Sequence, residues 1–184
     1  MSANFYLAFV RCAGTSPTFR NVTIFAGVGS SAFTTFEVTA GASPVVENAT
    51  IVSELHYPFT PTGVSVTDAS ITLRNTIIKS TEGPGFVAMA INGTSGPATA
   101  NLIGSTLPAP PPSTPTTGIS LAGNASATVE GSRIDTPIAI QFADGTQSFY
   151  SAGSRLGGTL DLAGGTNYKI VNSWDGSFNP VPNH

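Results

Sequence analysis

Cysteine, charge and long apolar runs are all scarce in this chain. Cys12 is the only cysteine among 184 residues, so no internal disulfide can staple the fold. Two histidines, His56 and His184, with no second cysteine give no zinc-ligand spacing, and no metal or other cofactor is expected. Charged residues make up 9% of the sequence, against about a quarter in ordinary soluble domains. The net charge of −3 comes from scattered groups, with no basic run to neutralise a phosphate backbone, which excludes a nucleic-acid partner. No apolar stretch reaches the roughly 18 residues that a membrane-spanning helix needs. The first residues, Met1-Ser2-Ala3-Asn4, show neither the charged region nor the cleavage signal of a secretory leader. Sustained 3.6-residue periodicity is also missing, so helix should be nearly absent.

What the chain does have is glycine (20) and proline (14) in a background of Ser, Thr, Ala, Val and Ile. That is the composition of an all-β protein with many turns. A degenerate repeat runs through it. Thr18-Phe19-Arg20-Asn21-Val22-Thr23-Ile24 aligns without gaps with Val45 to Ile51, Thr72 to Ile78, Asn101 to Leu107, Thr128 to Ile134 and Tyr150 to Leu156. One column of this alignment contains Asn21, Asn48, Asn75, Gly104, Gly131 and Gly153, at spacings of 27, 27, 29, 27 and 22 residues. Asn and Gly share a tolerance for the left-handed backbone region, so the column predicts one tight bend per repeat. Three residues later stand Ile24, Ile51, Ile78, Leu107, Ile134 and Leu156, and two earlier Phe19, Val46, Leu73, Leu102, Val129 and Ser151. Both columns should point into a core.

Five residues before the bend a hydroxyl recurs at Ser16, Ser43, Ser70, Thr99, Ser126 and Ser148, suited to turn hydrogen bonds or to stacking. The position just before the bend reads Arg20, Glu47, Arg74, Ile103, Glu130 and Ala152. In a stack of parallel strands about 4.8 Å apart it becomes a solvent-facing charge ladder. Upstream of each copy lies a second β segment: Phe5 to Cys12, Thr35 to Thr39, Gly63 to Thr67, Phe86 to Ile91, Gly118 to Leu121 and Ile138 to Phe142. The alternation in Val64-Ser65-Val66 and Ile119-Ser120-Leu121 marks strands with one buried face. Each coil therefore carries two strands, with room for a short third in the variable connection.

The stretch from Gly118 to Ile134, Gly-Ile-Ser-Leu-Ala-Gly-Asn-Ala-Ser-Ala-Thr-Val-Glu-Gly-Ser-Arg-Ile, resembles the repeat of pectate-lyase-like right-handed parallel β-helices. The resemblance implies a solenoid of about six coils over residues 1–160, with 161–184 as a C-terminal capping segment of the same domain. Tyr168, Trp174 and Phe178 would cover the last strands. That superfamily contains lyases, hydrolases, tailspikes, adhesins and inert spacers, so it fixes architecture and leaves activity open.

Individuality in a solenoid lies in its connections. Three insertions are visible: Glu54 to Pro61, Lys79 to Gly85, and the proline-rich Leu107 to Pro115, which must be stiff and extended. All leave after the inward aliphatic residue and should emerge from one edge. Tyr57 and Phe59, with His56 beside them, are the ligand-binding candidates, as aromatics able to stack on a sugar. The catalytic candidates are Arg133, Asp135 and Arg155, with Glu130 and Asp144 expected nearby; two stacked arginines could hold an acidic sugar. The sequons at Asn21, Asn48, Asn92 and Asn124 are read as by-products of the repeat.

The expected function is a non-catalytic structural or recognition module of a larger extracellular, surface or virion fibre-like protein. Its partners would be a polysaccharide held along the insertion edge, other copies of itself or the rest of a longer chain. The alternative is a polysaccharide lyase or hydrolase acting on an acidic polysaccharide, and only the lyase would call for Ca2+.

Overall fold

In a computed structural model the chain is described at residues 10–26, 34–54, 60–82, 85–108, 116–163, 165 and 167–183. Strands follow one another in stacked sets. The first set is β1 (Val10–Ala13), β2 (Thr18–Arg20) and β3 (Thr23–Ala26), followed by β4 (Thr34–Thr39), β5 (Val45–Glu47) and β6 (Thr50–Glu54), then β7 (Thr62–Thr67), β8 (Ser70–Arg74) and β9 (Ile77–Glu82). Next come the long β10 (Val87–Ile103) with β11 (Thr106–Leu107), and β12 (Thr117–Glu130) with β13 (Arg133–Ile134). The stack ends with β14 (Ile138–Phe142), β15 (Ser148–Ala152) and β16 (Arg155–Leu156), then β17 (Thr159–Asp161), β18 (Tyr168–Val171) and β19 (Trp174–Asp175). No helix occurs among the described residues, and none is therefore long and apolar enough to cross a membrane.

Every strand pair is parallel and lies between successive sets, which makes the molecule a parallel β-solenoid. One sheet runs in the order β19-β16-β13-β11-β9-β6-β3. The other strands follow the path β1-β4-β7-β10-β12-β14-β17, with β2-β5-β8 and β15-β18 alongside. Each full coil thus carries three strands. The third is not in the variable connection, because each repeat copy is itself broken in two at the bend, as β2 and β3 are by Asn21. Where β10 and β12 turn a corner without breaking, their register shifts between Gly93 and Ala98. A Cβ on Gly93 would collide with the Asn124 carbonyl, so the backbones meet there as only glycine allows.

The bend residues Asn21, Asn48, Asn75, Gly104, Gly131 and Gly153 have φ between 48° and 59°, and the bend recurs at Asn172, φ 48°. All of them are exposed. The flanking columns face inward: Val46, Leu73, Leu102 and Val129 are fully buried, as are Ile51, Ile78, Leu107 and Ile134. These side chains form one continuous cluster along the axis. At its first end Phe19 is half-buried and meets the Phe36 ring edge-on at 5.4 Å.

The segment expected to cap the solenoid first adds another layer to it. Tyr168 to Val171 pairs in register with Phe149 to Ala152, and Trp174-Asp175 with Arg155-Leu156. Asp175 occupies the column that holds an aliphatic residue in every earlier coil. Its carboxylate accepts bonds from the Ser177 and Asn179 amides and from Asn179 Nδ2, at 2.8 to 3.0 Å. The chain then reverses. Val181 donates to the Ser173 carbonyl at 2.8 Å, the Asn172 amide to Asn183 Oδ1 at 3.0 Å, and Pro180 lies antiparallel to Trp174. The covering element is thus the tail from Gly176 to Asn183, and it leaves Trp174 40% and Phe178 70% exposed.

Candidate functional site

The strands β13, β16 and β19 present successive outward side chains two residues past the bend. Arg133 is in register with Arg155, and Arg155 with Trp174. The same column begins with Thr23, Thr50, Ile77 and Thr106. The column is neutral for four coils and then carries two guanidiniums and an indole. Phe178, from the tail, lies against Arg155 with the guanidinium carbon 4.6 Å from the ring centroid. Arg155 Nη2 also donates to the Gly176 carbonyl at 2.8 Å. The tail therefore fixes one arginine, while Arg133 keeps 56% of its side chain exposed.

Between the arginines sits Asp135, whose side chain is only 11% exposed. Arg133 Nε donates to its Oδ2, and Arg155 Nε lies 3.2 Å from its Oδ1. That second contact is close but lacks hydrogen-bond alignment, leaving Oδ1 and Nε buried with only Coulomb attraction between them. A carboxylate bridging two guanidiniums is committed to them. It orders the arginines at a fixed spacing.

Sequence reasoning thus brought Arg133, Asp135 and Arg155 together as the structure does. Glu130 lies on the far side of the Gly131 bend, exposed, in register with Ala152. Asp144 belongs to another corner, where it accepts from the Thr146 hydroxyl at 2.6 Å, the Thr146 amide at 2.9 Å and the Gln147 amide group at 2.8 Å. Those bonds, with the Thr146 hydroxyl foremost, hold its carboxyl below the usual carboxylate range. His56, Tyr57 and Phe59 lie outside the described residues. The three insertions do start from neighbouring strands of one sheet, β6, β9 and β11, so their roots share an edge.

No protein-family model matches this chain, and no curated protein or solved structure proved similar to it. The residues therefore carry the functional reading alone. Among the described residues no three His, Cys, Asp or Glu side chains come together. The single carboxylate at Asp135, flanked by two cations, does not fit the calcium-binding set that the lyase alternative implies.

Two features escaped sequence reasoning. Trp174 was read only as a cap, although it extends the arginine column. Its signal was there, two residues past Asn172, but the spacing from Gly153 had shrunk to 19 residues. The second is the column just past the bend: Thr76, Ser105, Ser132, Ser154 and Ser173, all buried. Each amide from Thr76 to Ser154 donates to the hydroxyl of the next coil, at 3.0 to 3.3 Å. Each hydroxyl returns its proton to nearby carbonyls, Ser105 Oγ to Leu73 and Ile103 at 3.2 Å.

Proposed function

We propose that this chain is a non-catalytic recognition module, a solenoid segment of a larger extracellular, surface or virion fibre-like protein, that binds a glycan along the outer face of the β3-to-β19 sheet. The reading rests on the stripe Arg133, Arg155 and Trp174 on consecutive strands, with Asp135 and Phe178 holding Arg155 in place. A guanidinium takes the carboxylate or sulfate of one sugar unit, and the exposed indole on the next strand, about 4.8 Å away, stacks on the ring of the unit beside it. Relationship to the pectate-lyase-like β-helices belongs to the same proposal. It is supported by the stretch Gly118 to Ile134, which carries the resemblance and runs along β12 and β13.

The test is calorimetric titration of the chain with polygalacturonate, alginate and heparan sulfate oligosaccharides. Saturable binding that weakens about tenfold in Arg133→Ala, about 1.4 kcal/mol, and declines with added salt supports the proposal. Arg133 is the better probe because its removal leaves Asp135 paired with Arg155. Absence of binding to any acidic glycan would overturn it. Release of unsaturated or hydrolysed products, abolished by Arg133→Ala, would instead establish the lyase or hydrolase alternative.

A further inference from the structure

A second feature adjoins the stripe at the end of the solenoid. A cavity of about 520 Å³ is lined by Asn172, Ser173, Trp174, Pro180, Val181, Pro182 and Asn183. One wall is the last coil and the other the reversed tail. Three links tie them: the Val181 amide donates to the Ser173 carbonyl, the Asn172 amide donates to the Asn183 side chain, and Trp174 pairs with Pro180. These links fix the tail against the last coil, and the cavity lies beside them, open to solvent on one side. Its Asp175 hinge is fixed in turn by Ser177 and Asn179.

Among the described residues the lining has no charged side chain. Apolar surface comes from an indole, two proline rings and a valine, and polar capacity from two side-chain amides and a hydroxyl. The Ser173 hydroxyl is already engaged, with Ser151 and the Val171 carbonyl. Asn183 has its oxygen fixed by the Asn172 amide at 3.0 Å, which orients its NH2 group as a donor. An indole for a ring face and a fixed amide for hydroxyl groups form a complementary set for a pyranose. A volume of this size holds one or two sugar units. The described lining supplies no cation to pair with an acidic unit, which favours a neutral one.

We infer that this cavity is a binding subsite for a neutral sugar unit, stacked on Trp174 and hydrogen-bonded by Asn183. It rests on the glycan reading above and adds a unit that the arginine stripe does not select. The experiment uses Trp174 as its own reporter, since it is the only tryptophan in the chain. Intrinsic fluorescence is titrated with cellohexaose, mannohexaose, xylohexaose and a polyproline decapeptide, and calorimetry repeats any response. A saturable response to a neutral hexasaccharide supports the inference if Asn183→Ala weakens it about tenfold and Arg133→Ala and 0.5 M salt leave it unchanged. Asn183 lies in the exposed tail, so its variant tests the subsite even if Trp174→Ala fails to fold. Response to none of the neutral sugars, or only to polyproline, overturns it. Loss of neutral binding with acidic-glycan binding intact removes the subsite and spares the recognition function. Loss of both removes the glycan reading itself.

Discussion

The two ends of the solenoid hold their coils together by different chemistry. Toward the N-terminal end the position just past the bend is apolar, Val22 and then Ala49; a buried bond from Ser80 Oγ to the Ser53 carbonyl links the second and third coils inside, and the charged contacts between coils lie outside. Arg11 pairs with Glu37 at 3.3 Å, Arg20 with Glu47 at 2.7 Å, and Arg74 with Glu47 at 3.8 Å, with the arginines at least half exposed. From Thr76 onward the same position is a buried hydroxyl, and the coils are linked inside by the Thr76-Ser105-Ser132-Ser154-Ser173 ladder. A left-handed bend leaves its following amide pointing along the axis, and a hydroxyl one coil away is well placed to accept it. Buried hydrogen bonds are costly to leave unmade, whereas exposed ion pairs contribute little. The C-terminal half, which carries the candidate site, should therefore be the more rigid half.

The largest effect that would break this contrast is at the ladder. Ser132→Ala removes the acceptor of the Ser105 amide and the donor to the Leu102 and Glu130 carbonyls. It should cost about 2 kcal/mol in denaturant unfolding, the penalty of a buried amide left without a partner. A value near zero would mean the ladder contributes nothing. At the other end Glu47→Gln weakens both Arg20 and Arg74 contacts and should cost about 0.5 kcal/mol, diminishing further at high salt. A cost equal to that of Ser132→Ala would erase the distinction between the halves.

The smallest effect sharpens the contrast at the cap. Bonds from the Asn179 side chain and backbone, with Ser177 and Arg155 adding to them, hold the Asp175 carboxyl below its usual range. Because the folded-state value is depressed, the stabilisation is present above the unfolded value of about 3.9 and is lost as pH falls through the folded one. An NMR titration should show the Ser177 and Asn179 amides shifting together below the ordinary aspartate range. The Ser132 amide should stay still over that interval. Asp175→Asn should abolish the coordinated shift.

The sequence made some of this legible because certain columns have a single physical cause. Only Asn and Gly sit easily at positive φ, so the bend column could be read directly. The aliphatic columns beside it were legible because one solenoid core buries them all. The division of each copy into two strands was harder to read: the bend at Asn21 was legible, but the pieces on either side of it are only three and four residues long and together pass for one β segment. Trp174 was hidden for the opposite reason: the coils shorten toward the end, and a fixed period carries the eye past it. The ladder was visible in principle, but Ser and Thr are so common in this chain that five in one column did not stand out. Arg133, Asp135 and Arg155 could be grouped because they fall in neighbouring columns of the repeat. Asp144 could not be placed, since a coil has several corners and the sequence does not say which one a loop residue occupies.

Native-state hydrogen exchange tests the central claim most directly, that stacked coils are joined inside at the bend by hydroxyls. Residues just past exposed turns ordinarily exchange fast. Here the amides of Ser105, Ser132 and Ser154 should rank among the slowest in the protein, opening only with free energies near that of global unfolding. Exchange at the rate of an unprotected, solvent-exposed amide would contradict the ladder and the stacked geometry that produces it.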